Sequence, residues 1–250
     1  MKNKFIFKVS ILFILMFGIG QSGERRIPVL FVLPSGGPER NIVINAWNTR
    51  FGKAFDIISD APLQDNLNDL TNIKTGLYCW SAPSFAEIKK SSFPDFIRCF
   101  LYDFEHWQYT PQSEQKDVYS TSKEIFAFCR DRGWRSAIIP MYRDGLALTK
   151  LAGCYDIYIV QCQKFQNDNK REEAVKYLRE ITEIIKKINP GCLVGCQVGM
   201  ADQYGNGSAG SGLQTARALY DETKNFLGIY SIWWPPHGKY LLEFLEYMEK

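Results

Sequence analysis

The order of apolar runs predicts an α/β fold, a (β/α)8 TIM barrel built as a single domain. Three observations carry that expectation. Eight short apolar runs recur along the chain, and most are followed by a segment whose apolar residues have helical spacing. The runs are almost continuously apolar, as strands of a parallel sheet buried on both faces must be. Polar side chains gather where the runs end, and barrels of this kind carry their reactive groups at the C-terminal ends of the strands. A length of 250 residues suits one domain of the larger kind. An open doubly wound sheet is the competing arrangement. It would have fewer strands and a phosphate loop after the first. PSGGPER, the only glycine-rich stretch there, lacks both the G-x-G-x-x-G pattern and the P-loop lysine, so no nucleotide cofactor is expected.

The N-terminus reads as an address. MKNKFIFK is basic, VSILFILMFGIG is apolar and QSGERR returns to polar. A charged start, an apolar stretch of about 12 residues and small residues before a polar turn describe a secretory signal peptide. The stretch is short of the roughly 20 residues a membrane span needs. Residues 1–23 are therefore expected to be a signal peptide and residues 24–250 the barrel, secreted or held in the periplasm or at the cell surface. Only an uncleaved signal segment would touch a membrane. The formal net charge is +3, with lysines and glutamates interspersed, so no face for nucleic acid is indicated.

The strands follow in order. IPVLFVL (27–33) is the first, bounded by Pro34, Gly36 and Gly37. FDIIS (55–59) is the second, with a short helix expected over APLQDNLNDL. GLYCW (76–80) is the third, followed by helical PSFAEIKK. IRCFLYDFE (97–105) is the fourth. TPQSEQKDVYSTSKEIFAFCRDRG then reads as one long helix, with Thr110 as cap, Pro111 in its first position and Gly133 after its end. SAIIPMY (136–142) and YDIYIVQCQ (155–163) are the fifth and sixth. A stripe of Ala174, Tyr177, Leu178, Ile181, Ile184, Ile185 and Ile188 marks the next helix, stopped by Pro190 and Gly191. CLVGCQVG (192–199) is the seventh, followed by the loop ADQYGNGSAGSG and helix LQTARALYDETKN. GIYSIWW (228–234) is the eighth, and KYLLEFLEYMEK closes the chain. Seven cysteines leave at least one unpaired. Cys99, Cys162, Cys192 and Cys196 lie in apolar runs and are expected as buried thiols, with no disulfide pair assignable. Cys192 and Cys196 lack zinc spacing, so no metal is expected.

The candidate site is the mouth formed by the strand ends. Strand four places Asp103 and Glu105 on the face that carries Cys99, Leu101 and Ile97. Strand six ends in Gln161 and Gln163, and strand seven brings Gln197. Tyr142, Trp80, Trp233, Trp234 and Asp60 end the fifth, third, eighth and second strands. Trp233 and Trp234 cannot both face inward. Carboxylates and amides pair with hydroxyls, flat aromatic faces suit sugar rings, and few cations stand at these ends. The implied partner is an oligo- or polysaccharide rather than a phosphorylated ligand. Carboxyls two apart on one strand face lie roughly 6 to 7 Å apart at the backbone. One charge raises the pKa of the other, so Glu105 can stay protonated as general acid for a glycosidic oxygen while Asp103 assists. His106 falls on the opposite face as a supporting or surface group, and His237 is given no role. No G-x-S-x-G or H-E-x-x-H pattern supports serine or zinc hydrolysis.

The D-x-E of Asp103 and Glu105 resembles the end of the family 18 glycoside hydrolase motif, D-x-x-D-x-D-x-E. The resemblance implies that Glu105 is the acid, that Asp103 assists the substrate's own acetamido group, and that Trp233 or Trp234 is the last-strand tryptophan. The earlier acidic positions are Leu101 and Arg98 here, and strand six has Gln161-Cys162-Gln163 where that family has Tyr-Asp. YDFEHWQYTPQSEQ, from Tyr102 to Gln115, is similar to an acid-x-Glu-x-Trp…Thr-Pro-x-x-Glu-Gln stretch of uncharacterised secreted bacterial barrels of the glycoside hydrolase kind. Glu114, at the start of the following helix, is read there as favouring the helix dipole. Two functions are therefore carried forward. One is a secreted glycosidase acting through Glu105 and Asp103, and the other is a non-catalytic carbohydrate-binding barrel.

Overall fold

A computed structural model describes residues 28–32, 38–51, 57–60, 77–104, 109–200, 211–233 and 238–250. Residues 1–23, the expected helix over APLQDNLNDL and most of the loop ADQYGNGSAGSG lie outside them. The strands are β1 (Val29–Val32), β2 (Ile57–Asp60), β3 (Leu77–Ala82), β4 (Ile97–Phe104), β5 (Arg135–Pro140), β6 (Ile157–Gln161), β7 (Leu193–Gly199) and β8 (Ile229–Trp233). They pair in sequence order, all parallel, and β8 returns to β1 to close the barrel. The (β/α)8 TIM barrel is the fold of this chain.

The helices are α1 (Pro38–Thr49), α2 (Phe85–Ile88), α3 (Gln112–Lys116), α4 (Val118–Asp131), α5 (Gln163–Asn167), α6 (Arg171–Ile188), α7 (Ser211–Thr223) and α8 (Gly238–Met248), with a 3₁₀ segment at Ala147–Cys154. Helix α1 had no counterpart in the sequence reading. It buries Val43, Ile44 and Trp47, and Phe51 just beyond it is buried too. Its apolar residues are few and its exposed Ile42 lies among them, so its stripe is weak in the sequence. Arg50, just past α1, bonds to Glu246 at 2.7 Å and Glu249 at 2.8 Å, joining the first and last helices of the ring.

Apolar residues divide between two cores. Leu30, Cys79, Cys99, Leu101, Ala137, Ile139, Ile157, Ile159 and Ile229 fill the barrel interior. A larger layer lies between the sheet and the helices, and it includes Phe100, Tyr102, Phe104, Ile138, Tyr158, Val160, Cys196, Val198 and Tyr230. All seven thiols are free, six of them buried, including Cys99, Cys162, Cys192 and Cys196 as expected.

Three local expectations change. The long helix is two helices, because Asp117 leaves helical geometry (φ −132°, ψ 64°) and its carboxylate accepts from Ser120 N at 2.9 Å, capping α4. Thr110 does not cap: Pro111 occupies the cap position of α3, and the Thr110 hydroxyl has no hydrogen-bond partner among the described residues. Finally, the pairing of β3 with β4 shifts between Tyr78 and Cys79, which pair with Ile97 and Cys99. Arg98 is the extra residue of this bulge. Ile97 therefore packs on the helix side, while Cys99 faces the interior.

Candidate functional site at the open end of the barrel

Above the bulge the two-residue period holds. Cys99 and Leu101 are sealed in the interior, and Asp103 follows them on that face, in register with Ile139 and only partly buried. An acid at this point rises out of an apolar barrel at its open end, where water or a ligand can meet it. Glu105, His106, Trp107 and Trp234 lie outside the described residues. Trp233 ends β8 in register with Gly199, and Asp60 ends β2 in register with Cys79. Cys79 belongs to the sealed interior, so Asp60 stands in register below Ser81, lower than the rim.

The glutamines come together. Gln161 is in register with Gln197 across β6 and β7. Gln163 reaches the same place by another route than expected. The strand ends at Gln161, Cys162 turns the chain (φ −111°, ψ 0°), and Gln163 opens α5. Its Nε2 donates to Gln197 Oε1 at 2.5 Å. Gln197 Nε2 in turn donates to Ser231 Oγ on β8 at 3.2 Å. Ser231 and Gln197 are buried and Gln163 is half-buried, so this chain of amides runs from the core to the surface.

Tyr142 lies two residues beyond β5. Its ring meets Phe165 of α5 edge-on, with centroids 6.0 Å apart, and its carbonyl accepts from Tyr177 Oη at 2.5 Å. Leu146 N donates back to Tyr177 Oη at 3.0 Å, and Tyr158 Oη donates to Gly145 O at 2.6 Å. Two phenols thus hold the β5 loop from below, and burial raises the pKa of both. Tyr142 therefore stands beside α5, the helix that Gln163 opens.

Trp80 is a correction. It is in register with Phe100, on the helix side, and packs edge-on against Phe93 with centroids 5.2 Å apart. The interior positions of β3 are Cys79 and Ser81. Trp80 fills the sheet–helix layer and is not part of the mouth.

Ser81 and Ser231 were missed. Ser81 is partly exposed, in register with Leu101 at the open end of β3. The signal was there: carried two residues past Cys79, the strand period lands on it. Ser231 sits mid-strand, where no end-of-strand rule would look. Glu114 lies in the first turn of α3, as expected, and has a further task. It is buried, and its carboxylate accepts from Phe85 N (3.1 Å), Ala86 N (2.8 Å) and Tyr102 Oη (2.9 Å), so it also caps the neighbouring helix α2.

Among the described residues no group of three His, Cys, Asp or Glu side chains could hold a metal ion. No described helix is long and apolar enough to cross a membrane. The inward positions at the upper strand ends described here carry serine, acid and amides beside the apolar Ile139, with no lysine or arginine. Such a surface can give and take hydrogen bonds with uncharged polar groups and can present a carboxylate to them.

No family profile and no curated protein matches the chain. Solved structures do. Triosephosphate isomerase from Bartonella henselae superposes with a TM-score of 0.54 at 11% identity, covering 90% of this chain and 100% of that one. A mutant tryptophan synthase α-subunit from Pyrococcus furiosus superposes with a TM-score of 0.51 at 10% identity, covering 89% and 96%. At such identities the likeness establishes the barrel, which is shared by many enzymes, and nothing about the reaction.

Proposed function

We propose that this barrel is a carbohydrate-active protein that hydrolyses a glycosidic bond in an oligo- or polysaccharide, with Glu105 as general acid and Asp103 assisting. The observation that carries the reading is Asp103, an acid at the open end of an otherwise apolar inner face, in a mouth it shares with the amides of Gln161, Gln163 and Gln197. Glu105 is the next residue of the same parity. A carboxylate beside it would keep its proton near neutral pH, as a general acid requires. Tyr142 beside α5 offers a flat face to a ring, and the export implied by residues 1–23 would put the protein where such polymers are met.

Hydrolysis of a panel of oligosaccharides by wild type, Glu105→Gln and Asp103→Asn tests this. Glu105→Gln is expected to lower kcat by about 10² to 10⁴, and Asp103→Asn to lower the acidic optimum of the pH–rate profile by removing the neighbouring charge. Unchanged turnover in Glu105→Gln would overturn the role.

A second reading is favoured by one specific observation. Two further acids of the family 18 motif are replaced here by Leu101, sealed in the barrel core, and Arg98, the bulge residue, whose guanidinium donates to Ile97 O at 2.8 Å. A barrel lacking those acids could hold a sugar without cleaving it. Equal binding by wild type and Glu105→Gln with no turnover in either would establish that alternative.

A further inference from the structure

The amide chain at β6, β7 and β8 has a direction. Ser231, 2% exposed, takes one N–H of Gln197. In this arrangement Gln197 Oε1 faces Gln163 and accepts from its Nε2, so Gln163 turns its nitrogen inward. Beyond that bond, Gln163 retains its Oε1 and a second N–H at the half-buried end of the chain. An amide held this way offers one acceptor and one donor side by side. Two adjacent hydroxyls match it, because each can both give and take. A carboxylate or phosphate offers acceptors alone, so it would satisfy the N–H but oppose the Oε1 and the charge of Asp103 across the mouth. Lys164, the residue after Gln163, is exposed on α5 and pairs with Asp168 at 2.6 Å. Arg143, the residue after Tyr142, is exposed too, and its side chain approaches Asp144 at 3.9 Å.

We propose that the Gln163–Gln197–Ser231 chain is a specificity subsite for two adjacent uncharged hydroxyls of a sugar ring, and that it rejects rings carrying a carboxylate or phosphate there. The proposal rests on the carbohydrate reading of the mouth and adds which part of it selects the ligand. Gln163 makes the contact. Gln197 and Ser231 are positioning residues that set its orientation.

Isothermal titration of the full chain with neutral gluco- and galacto-oligosaccharides, and with oligogalacturonides of equal length, tests it. Wild type is expected to bind a neutral oligosaccharide at least about tenfold more tightly than its uronide counterpart. Gln163→Met and Gln197→Met keep the side-chain volume, and each is expected to weaken neutral binding about tenfold. Gln163→Lys is expected to reverse the preference toward uronides, which lost packing alone would not do. Gln163 stands on a surface helix, so its variants report even if Gln197→Met unfolds. If wild type binds no sugar, the carbohydrate reading falls and the subsite with it. If it binds neutral sugars but the Gln163 variants bind and discriminate as wild type does, or if uronides bind wild type equally well, the subsite alone is overturned.

Discussion

Glu114 is a buried carboxylate that accepts three hydrogen bonds, from two backbone amides that open α2 and from the phenol of Tyr102 on β4. One side chain on α3 therefore ties the β3 loop to the strand that carries Asp103. Its removal strands three donors, those of Phe85 and Tyr102 in buried surroundings. Glu114→Ala is expected to lower stability by about 2 to 4 kcal/mol. Glu114→Gln should be nearly as damaging, because its NH₂ would face donors. Urea unfolding checks both, and wild-type stability in either would show that water or the protein backbone replaces the carboxylate at no cost. The sequence marks Glu114 only as an acid in a helical first turn. Its actual partners lie 12 and about 29 positions away, and no local pattern connects them. Gln163 is similar: its side-chain type and its place near the mouth were legible, but its bond to Gln197 depends on a turn at Cys162.

At the scale of elements, two glycines separate lack of space from backbone conformation. Gly195 lies on β7 in register with Ile229 of β8. A Cβ there would fall 2.1 Å from the Ile229 carbonyl oxygen. Neither backbone can withdraw without breaking the parallel ladder, so Gly195→Ala is expected to cost at least about 3 kcal/mol. Gly133 follows α4 at φ 66° with nothing within 4 Å of a built Cβ. Gly133→Ala meets no clash and pays only for the left-handed backbone, about 1 kcal/mol. Denaturant midpoints of the two variants should differ by that margin, and equal losses would refute the division. Gly133 was readable as a helix stop, because a turn residue acts locally. Gly195 was not, because its constraint comes from a strand more than 30 residues later. The same limit hid the bulge at Arg98, which reverses the facing of Ile97, whereas the break at Asp117 is local, a cap to Ser120 N within an otherwise helical pattern.

The whole molecule buries many groups that ionise only at alkaline pH. Burial raises the phenols of Tyr102, Tyr155, Tyr158 and Tyr230 far above their usual range, with the Glu114 carboxylate adding to the effect at Tyr102. Burial also lifts the Cys129 thiol, and pushes the Cys192 thiol up to about 12. A raised native pKa means that the unfolded chain loses its proton first. Below the unfolded values, about 8.5 for thiols and 10 for phenols, these groups leave stability unchanged with pH. Above them the unfolded state binds fewer protons, and stability falls as pH rises. The urea midpoint is therefore expected to hold from pH 7 to about 8.5 and then decline. A midpoint that stays level between about pH 9 and 11 would overturn this account.

The sequence by itself determined the barrel. Eight nearly continuous apolar runs alternating with helices admit few other arrangements, since parallel strands need crossovers and must be covered on both faces. It also determined that Asp103 shares a face with Leu101 and Cys99, because a strand repeats every two residues. Only the tertiary structure decided which face of each strand is the inside. A strand buried on both sides has no polar–apolar alternation to reveal it, so Trp80 and Ser81 could not be told apart until register around the closed barrel assigned Ser81 to the mouth and Trp80 to the helix layer. The amide chain from Ser231 to Gln163 was decided there too, because it joins β8, β7 and the turn after β6, which meet only once those strands pair side by side.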